Sequence, residues 1–462
     1  MKKKLLHSIF LTSAIVGFIT SVNGQTIAAG GSHSLSICTN GIAKSWGLNG
    51  FGQLGNATNT GSSTPVDISA LTDLKEIQGG YEFSLALKND GTVRSWGKND
   101  NGELGNGTNV SSNIPVTVNG LSGILSIEGG YYHALALKNN GTVWAWGRGG
   151  LGQLGNGANI ASTVPVQMSA LTNIIKIAAG NGHSLALKDD GTVWATGANG
   201  DGQLGNGTNS NSNVSVQVTL LSGVIAISAG NRHSLALKND GTVWAWGYNN
   251  RGQLGNGNTT NSNVPLQIGS LTGITAIATG VRHSLALKND GTVWAWGENG
   301  LGELGDGTNT ISYTPVQVSS VSNIVTIESQ FTHSLSLKND GTVWTWGDNT
   351  YGQLGNGTTN ASNTPVQTIN LCQVLNTSDE IVNNDTISVY PNPSNGLFQI
   401  ALQNMELIDG ELDVYNIFGQ RIYSTANIQQ QMQIDLSSFS TAVYFIKIHI
   451  GGKIYYKKIV TQ

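Results

Sequence analysis

The chain has 462 residues, a formal net charge of -4 and 62 glycines. Charged residues are only 11% of the chain, against about 25% in a typical soluble domain, while hydrophobic residues are 39%. This balance excludes a disordered chain, and two cysteines exclude a disulfide-dense scaffold. Nucleic-acid-binding proteins normally carry a basic surplus, so the acidic balance argues against nucleic acid as a partner.

The first 24 residues have the pattern of a secretory signal peptide. Three lysines follow Met1, an apolar segment covers residues 5–20, and small residues lead to Gly24. We predict a signal peptide over 1–24, with cleavage after Gly24. Removing three lysines leaves 20 Lys and Arg against 27 Asp and Glu, a mature charge of -7. The alternative is an uncleaved membrane anchor, but the apolar segment is short for a span of about 20 residues.

Seven copies of one unit follow, spaced by 50 residues. Each copy contains the tetrapeptide Gly-Gln-Leu-Gly or Gly-Glu-Leu-Gly, which begins at Gly52, Gly102, Gly152, Gly202, Gly252, Gly302 and Gly352. A constant period of this length is typical of an array, a solenoid or a propeller.

The pattern inside the unit distinguishes these architectures. After His283 the residues alternate as in a strand, an Asn-Asp-Gly turn ends at Gly291, and a second alternating segment contains Trp294. Ile274 indicates a strand upstream, and the segment from Pro315 indicates a fourth strand. Four short strands per unit predict a propeller blade, and seven copies predict a closed, all-β, seven-bladed β-propeller.

The unit also resembles the repeat of the regulator-of-chromosome-condensation family. The resemblance lies in the segments His-Ser-Leu-Ala-Leu, Asp-Gly-Thr-Val-Trp-Ala-Trp-Gly, Gly-Gln-Leu-Gly-Asn-Gly and Pro-Val, and it covers residues 25–375. It implies a seven-bladed β-propeller, and the family name raises guanine-nucleotide exchange as a function. Secretion away from cytosolic GTPases argues against exchange, as does the strict spacing, which leaves no room for an extra insertion.

The register of the repeats suggests how the ring closes. Leu71 begins the first strand of one unit, and its equivalent in the first copy falls inside the predicted signal peptide. The equivalent position after the last copy is Leu371. We therefore expect residues 371–375 to pair beside the strand at 33–38 and to close the ring. This register places Cys372 near Cys38 and predicts a disulfide, the alternative being two unrelated buried thiols.

A different domain follows the repeats. Residues 376–386 are polar and acidic and are expected to form a linker, whereas residues 387–462 contain alternating segments that predict a small β-sandwich. This segment resembles the C-terminal sorting domain of the type IX secretion system of Bacteroidota. The resemblance rests on Tyr-Pro-Asn-Pro, Val-Tyr-Asn-Ile-Phe-Gly, Val-Tyr-Phe-Ile-Lys and a terminal Lys-Lys-Ile-Val, in that order. Ala442 departs from the glycine that is usual there.

The sorting-domain resemblance implies a location and one partner. It implies contact with the type IX secretion machinery through residues 387–462, and a protein that is secreted or attached to the outer-membrane surface. In this family the domain is usually removed during export. We expect no membrane span in the mature form. The alternative is a generic accessory sandwich.

Histidine and tryptophan recur at equivalent positions in the units. Because an active site is needed once, residues repeated around a ring are expected to be structural, and we expect no metal site and no cofactor. The repeated histidines are His33, His133, His183, His233, His283 and His333, with Phe83 in the second unit. We expect the tryptophans to pack between blades.

Two segments vary most between units. One precedes the repeated histidine, the other follows the Trp-Gly pair, and a hairpin brings both to the same end of the propeller. Tyrosine and arginine, which are enriched at binding hot spots, are frequent there. We therefore hypothesise that this face binds an unknown protein or glycan through Tyr81, Tyr131, Tyr132, Arg148, Arg232, Tyr248, Arg251, Arg282 and Phe331.

The main alternative is an enzyme. Some propellers carry a catalytic site in the central channel, so a secreted hydrolase or lyase is the second hypothesis. Only scattered residues break the repeat pattern, such as Glu103, Thr196 and Glu303, and none forms a recognisable catalytic set. We assign no catalytic residue and expect a non-catalytic binding or adhesion module.

Overall fold

A computed structural model describes residues 25–39, 41–372, 387–402, 410–416, 421–426, 428–439, 442–450 and 453–461. The chain divides into two compact units, the first ending at Cys372 and the second beginning at Gln373. Every helix or strand assigned within these ranges is a β-strand, which confirms the all-β prediction. The predicted signal peptide and the predicted linker lie outside the described residues.

The first unit contains seven four-stranded antiparallel sheets, each made of four consecutive strands. The first four sheets comprise β1 (Thr26–Ala29), β2 (His33–Ile37), β3 (Ala43–Gly47), β4 (Ser62–Asp67), β5 (Leu74–Gly79), β6 (Phe83–Lys88), β7 (Val93–Gly97), β8 (Ser112–Thr117), β9 (Ile124–Gly129), β10 (His133–Lys138), β11 (Val143–Gly147), β12 (Ser162–Gln167), β13 (Ile174–Ala179), β14 (His183–Lys188), β15 (Val193–Gly197) and β16 (Ser212–Gln217).

The remaining three sheets repeat the same order. They comprise β17 (Val224–Ala229), β18 (His233–Lys238), β19 (Val243–Gly247), β20 (Ser262–Gln267), β21 (Ile274–Thr279), β22 (His283–Lys288), β23 (Val293–Gly297), β24 (Ser312–Gln317), β25 (Ile324–Ser329), β26 (His333–Lys338), β27 (Val343–Gly347) and β28 (Ser362–Gln367). The first strand of each sheet contacts the first strand of the next, and β1 contacts β25, so the seven sheets are blades of a closed ring. The predicted seven-bladed propeller is confirmed.

The hairpin at the middle of each blade follows from its turn sequence. In the sixth blade the Asp290 carboxylate accepts hydrogen bonds from the amide and the hydroxyl of Thr292, at 3.0 and 2.6 Å. Gly291 has a φ of +77°, a conformation that glycine adopts without steric cost. The turn fixes the register of β22 against β23, which buries Leu285 and Trp296 between blades.

The repeated histidines join neighbouring blades through serine. His33 Nε2 lies 2.8 Å from Ser84 Oγ of the second blade, and the Ser84 hydroxyl donates to the carbonyl of Gln53, also at 2.8 Å. Because that hydroxyl proton is used, His33 Nε2 must carry the donated proton, and the buried Nδ1, which has no acceptor for a second proton, indicates a neutral imidazole. Burial lowers the pKa of His33 to about 3, which agrees with this assignment. The repeated histidines thus have the structural role that their repetition predicted.

One set of tryptophans, equivalent to Trp96, adds a second hydrogen bond to the carbonyl that the serine contacts. Trp96 is fully buried, and its indole Nε1 donates to the carbonyl of Gln53 at 2.8 Å. Its equivalents are Trp46, Trp146, Trp246, Trp296 and Trp346, and all of them are fully buried and bonded in this way. The second set, represented by Trp194, is only half-buried, with the Lys188 ammonium 4.6 Å from the ring centroid. The predicted packing of tryptophans between blades is therefore confirmed for the set equivalent to Trp96, whereas the set equivalent to Trp194 is only partly buried.

The ring closes with the same bonds that join its other blades. His333 Nε2 of the last blade lies 2.9 Å from Ser34 Oγ of the first, and Ser34 donates to the carbonyl of Gln353 at 2.9 Å. The predicted Cys38–Cys372 disulfide is present, with a Cα–Cα distance of 5.4 Å. A covalent bond thus joins the two ends of the repeat array.

One part of the predicted closure is wrong. The strand that pairs with β2 is β1, which aligns Thr26 with Ile37. The chain after the predicted cleavage point is therefore long enough to complete the first blade by itself. Leu371 is buried against Ile27 and Trp46 but belongs to no strand, and residues 373–375 lie outside the described residues. The C-terminal end of the array contributes packing and the disulfide.

The second unit is a β-sandwich, as predicted. One sheet has the order β29-β30-β33 and the other the order β32-β31-β34-β35, and one hydrophobic cluster contains Phe398 of the first sheet and Ile446 of the second. The strands are β29 (Ile387–Tyr390), β30 (Leu397–Leu402), β31 (Glu411–Asn416), β32 (Arg421–Thr425), β33 (Gln431–Asp435), β34 (Val443–Ile450) and β35 (Lys453–Val460).

The Tyr-Pro-Asn-Pro segment covers part of the exposed edge of β35. Both prolines follow cis peptide bonds. The Asn392 side chain accepts a hydrogen bond from the amide of Val460 at 2.9 Å and donates to the carbonyl of Lys458 at 2.8 Å. Unpaired strand edges promote association, so Asn392 protects the last strand of the chain.

Candidate binding face

The two variable segments of each blade lie at the same end of the propeller. The first connects the first and second strands, and the second follows the third strand. In each blade a backbone hydrogen bond joins the two segments. For example, the Arg148 amide donates to the carbonyl of Tyr132 at 2.7 Å, and the Tyr248 amide donates to the carbonyl of Arg232 at 2.9 Å. We call the surface formed by these loops the loop face. The opposite turn face carries the near-uniform hairpins, whose turns read Asn-Asp-Gly in four units and differ from it by one residue in the third and fourth.

Four aromatic side chains meet at the centre of the loop face. The Tyr81 and Tyr131 rings are stacked, with 5.7 Å between centroids and an interplanar angle of 2°. Phe331 packs edge-on against both, at 5.2 and 5.9 Å, and Tyr132 packs edge-on against Tyr81 at 5.5 Å. These residues come from the second, third and seventh blades, so they form a plug where the channel meets the loop face.

The plug is held by contacts between blades that are not neighbours. The Tyr131 hydroxyl donates to the carbonyl of Gln330 at 3.3 Å, and the Gln330 side chain donates to the carbonyl of Gly129. Tyr131 is only 4% exposed, and burial raises the pKa of its hydroxyl well above the usual value. Gly31 leaves room for the plug, since a Cβ there would lie 2.6 Å from Tyr81 Cδ2.

Arginines of the third and fifth blades pack over aromatic rings of the loop face. The Arg148 guanidinium lies 5.6 Å from the Tyr132 ring centroid, and that of Arg232 lies 4.9 Å from the Tyr248 ring centroid. Arg232 also pairs with Asp201 at 2.5 Å, yet its side chain remains 50% exposed. Guanidinium groups held over aromatic rings are pre-organised and still present N–H donors to a partner.

Two further arginines converge on one acid between the fifth, sixth and seventh blades. Arg251 Nε lies 3.0 Å from Glu298 Oε2, whereas Arg282 Nη1 lies 3.9 Å from the same oxygen, beyond hydrogen-bonding distance. Both arginine side chains are 46% exposed. A cleft of about 350 Å³ lies beside them, with Leu301 and Phe331 among its lining residues.

The structure thus divides the nine predicted contact residues. Tyr131 is buried and bonds to Gln330 inside the ring, which argues for a structural role, whereas Tyr81 and Phe331 are half-buried members of the plug and stay predicted contacts. Tyr132, Arg148 and Tyr248 are half-buried, and the remaining three arginines are exposed. These six residues, together with Tyr81 and Phe331, are the candidate contact surface.

Sequence reasoning missed a set of acidic groups in the channel. A cavity of about 150 Å³ is lined by first strands of the blades and includes Glu128, Glu328 and Gln330. Burial raises the pKa of Glu328 to about 8, and raises that of Glu128 well above its usual value with a further contribution from Glu76 and Glu328. Glu76 accepts weak hydrogen bonds from Gln78 and from the amide of Ile127, and burial raises its pKa to about 7.

The described residues contain neither a candidate metal site nor a candidate membrane-spanning helix. In those ranges no group of three or more histidine, cysteine or acidic side chains is placed to hold a metal ion. The same ranges hold no helix that is long and apolar enough to cross a bilayer. The six repeated histidines are bonded to serine, and burial lowers the pKa of each to about 3 or 4.

The fold and the sorting motifs define a class, a secreted or surface-attached protein built on a repeat propeller. Matches to known protein families support this class. The RCC1-like domain family model matches residues 122–383, more than half of the chain, and regulator of chromosome condensation (RCC1) repeats match 45–87 and 90–137, with a second repeat model matching 25–53 and 75–103. The chain therefore belongs to the RCC1-like domain family.

The second unit matches the secretion system C-terminal sorting domain over residues 388–462. This match shows that the protein is exported by type IX secretion and is secreted or attached to the cell surface, which confirms the predicted location. It also supports the predicted interaction with the secretion machinery. No curated protein matches the chain.

Solved structures share the propeller fold at low identity. The chain is similar to human WBSCR16, with 23% identity, a TM-score of 0.64, and coverage of 70% of this chain and 92% of that one. It is similar to Prp20p of Saccharomyces cerevisiae, whose binding to Gsp1p and histones has been described, with 22% identity, a TM-score of 0.64, and coverage of 74% and 87%. Likenesses at this identity concern the fold.

Proposed function

We propose that this protein is a non-catalytic binding or adhesion module whose loop face contacts a protein or a glycan outside the cell. The observation that carries the proposal is the concentration of sequence variation on one face of an otherwise uniform ring. Architecture is constant between blades, so residues that differ at equivalent positions are free to serve recognition. Tyrosine and arginine, the residues found there, are enriched at binding hot spots.

The arrangement of the face supports the same conclusion. The central plug makes the middle of the face solid, and the exposed Arg232, Arg251 and Arg282 lie on the same face in the fifth and sixth blades. A rigid aromatic centre with charged groups on the same face resembles the organisation of protein interfaces. Partner binding by Prp20p gives a precedent for a propeller of this fold acting through its surface.

A channel enzyme is the second candidate, because the channel contains carboxyl groups with raised pKa values. Such groups are typical of general acids. Against it, the cavity of about 150 Å³ is below the range of roughly 300 to 1,000 Å³ that is usual for small-molecule sites. The plug also covers the channel at the loop face.

The test is capture of partners from the native environment by the mature chain, residues 25–462. The matched variant replaces Arg148, Arg232 and Tyr248 by alanine, which leaves the four rings of the plug in place. The control replaces Asn140, Asn239, Asn289 and Asn339 on the turn face. The proposal predicts that the same partners are recovered with the wild type and the control but lost with the loop-face variant. Equal recovery with all three would refute it.

A further inference from the structure

We propose that the cleft beside Arg251 and Arg282 binds a carboxylate that carries an adjoining apolar group, as an acidic residue next to a leucine or phenylalanine does in a peptide. This inference rests on the proposed function and narrows it to one subsite and one ligand chemistry. The volume of about 350 Å³ is enough for one or two side chains.

The guanidinium groups supply the charge recognition. Two arginines share one carboxylate oxygen of Glu298, and Arg282 is too far from it to form a hydrogen bond. Elsewhere on the loop face Arg232 and Lys98 each have at least one acid of their own: Arg232 pairs with Asp201 at 2.5 Å, and Lys98 pairs with Glu82 at 2.8 Å and with Asp100 at 3.8 Å. Planar guanidinium groups bind carboxylates through two parallel hydrogen bonds. A ligand carboxylate beside Arg282 therefore supplies the hydrogen-bond acceptor that Glu298 does not give this arginine.

Two other acids are near the cleft, and both are already bonded. Glu303 Oε2 accepts a hydrogen bond from the amide of Leu301 at 2.8 Å, and burial raises the pKa of its carboxyl. Asp348 accepts hydrogen bonds from the hydroxyls of Thr332 and Thr350, at 3.1 and 2.6 Å. Neither competes for the exposed side of Arg282 as Glu298 does.

The remaining walls favour an apolar group over a sugar. Val281, Leu301 and Phe331 line the cleft, and Leu301 is 40% exposed. Thr332, the hydroxyl in the lining, is engaged by Asp348. A sugar ring would lose water from the hydroxyls that face Val281, Leu301 and Phe331 without gaining partners from those side chains, which is costly. An apolar side chain loses only water that it binds poorly, and so fits these walls.

Selection of a random peptide library on the immobilised mature chain tests the inference. The library is first depleted on the R251Q/R282Q variant. We expect the selected peptides to carry Asp or Glu beside a large apolar residue. The affinity of a synthetic selected peptide should fall at least tenfold with either R251Q or R282Q, and less with R282K, since lysine keeps the charge but not the planar geometry. The affinity should be unchanged with R94Q, a charge-matched control outside the loop face.

Glu298→Gln provides a readout of opposite sign. Removing the competing carboxylate should tighten peptide binding several-fold, which loss of folding would not do. The inference is overturned if no peptide is enriched, if the enriched peptides lack acids, or if oligogalacturonate binds the cleft more tightly than the peptides. Binding that survives R251Q/R282Q but is lost on replacing Tyr132 and Arg148 would overturn this inference and leave the proposed function standing.

Discussion

Phe83 and Ala134 lie in one hydrophobic cluster at the boundary between the second and third blades, where every other boundary has a histidine bonded to a serine. The two replacements occur together, so neither leaves a buried polar atom without a partner. The boundary keeps the tryptophan bond, from Trp146 to the carbonyl of Glu103 at 2.8 Å. The chain thus contains its own natural double substitution of the inter-blade contact.

This pair predicts coupled energetics at the other boundaries. Ser284→Ala should lower the free energy of unfolding by about 1 to 3 kcal/mol, because His233 Nε2 is then buried without an acceptor. His233→Phe should cost a similar amount alone. The double variant should cost less than the sum of the two, with a coupling of about 0.5 to 3 kcal/mol. Urea unfolding of the four proteins measures this, and additive costs would contradict the assigned contact.

Acid should destabilise the ring through its histidines. Their folded pKa values, about 3 to 4, lie below the ordinary value of 6.5, so the unfolded chain binds more protons as the pH falls. Their contribution is complete above pH 6.5 and is lost progressively toward pH 4. Urea midpoints measured from pH 7.5 to 4 should fall, and His233→Phe/Ser284→Ala should reduce the slope. A midpoint that rises over the whole acidic range would contradict this origin.

The channel carboxyls should make the folded ring less stable as the pH rises. Glu76 and Glu328 have folded pKa values of about 7 and 8, above the ordinary 4.5, so the folded protein binds more protons than the unfolded chain between these values. Their contribution is present below pH 4.5 and is lost as the pH rises to about 8. Glu328→Gln should flatten the decline in the urea midpoint between pH 6.5 and 8.5. An unchanged decline would place these groups in contact with water.

The disulfide should stabilise the closed ring. It spans 334 residues, and a cross-link over so long a loop contributes about 5 to 6 kcal/mol in the chain-entropy model. Replacing Cys38 and Cys372 together by serine should lower the midpoint of thermal unfolding. Adding a reductant should then have no further effect on the midpoint of this double variant. Equal midpoints for the oxidised wild type and the double variant would contradict a stabilising role.

Asn392 should protect the last strand. Asn392→Ala removes the hydrogen bonds to Lys458 and Val460, so amide exchange in β35 should become faster. The matched control is the nearby exposed Asn395→Ala, which should leave exchange unchanged. Hydrogen exchange followed by mass spectrometry distinguishes the two, and equal rates in both variants would contradict the role of Asn392.

The repeat made most of the architecture predictable. A 50-residue period fixes equivalent positions, so the blades, the loop face and the Cys38–Cys372 pair could be derived from register alone. The closing strand was wrongly assigned to residues 371–375. Register alone does not show that β1, which is shorter than its equivalents, is long enough to pair with β2. The plug and the channel acids were missed because Tyr131 and Glu328 meet their partners across the ring, a distance that comparison of equivalent positions does not measure.

Site-specific photo-crosslinking in the native environment tests the central claim most directly. A photoreactive residue is placed at Tyr132 or Arg232 on the loop face, or at Asn140 on the turn face as the control, in the mature chain. The account predicts a discrete crosslinked partner from both loop-face positions and none from Asn140. Equal crosslinking from both faces, or a partner captured only at Asn140, would contradict it.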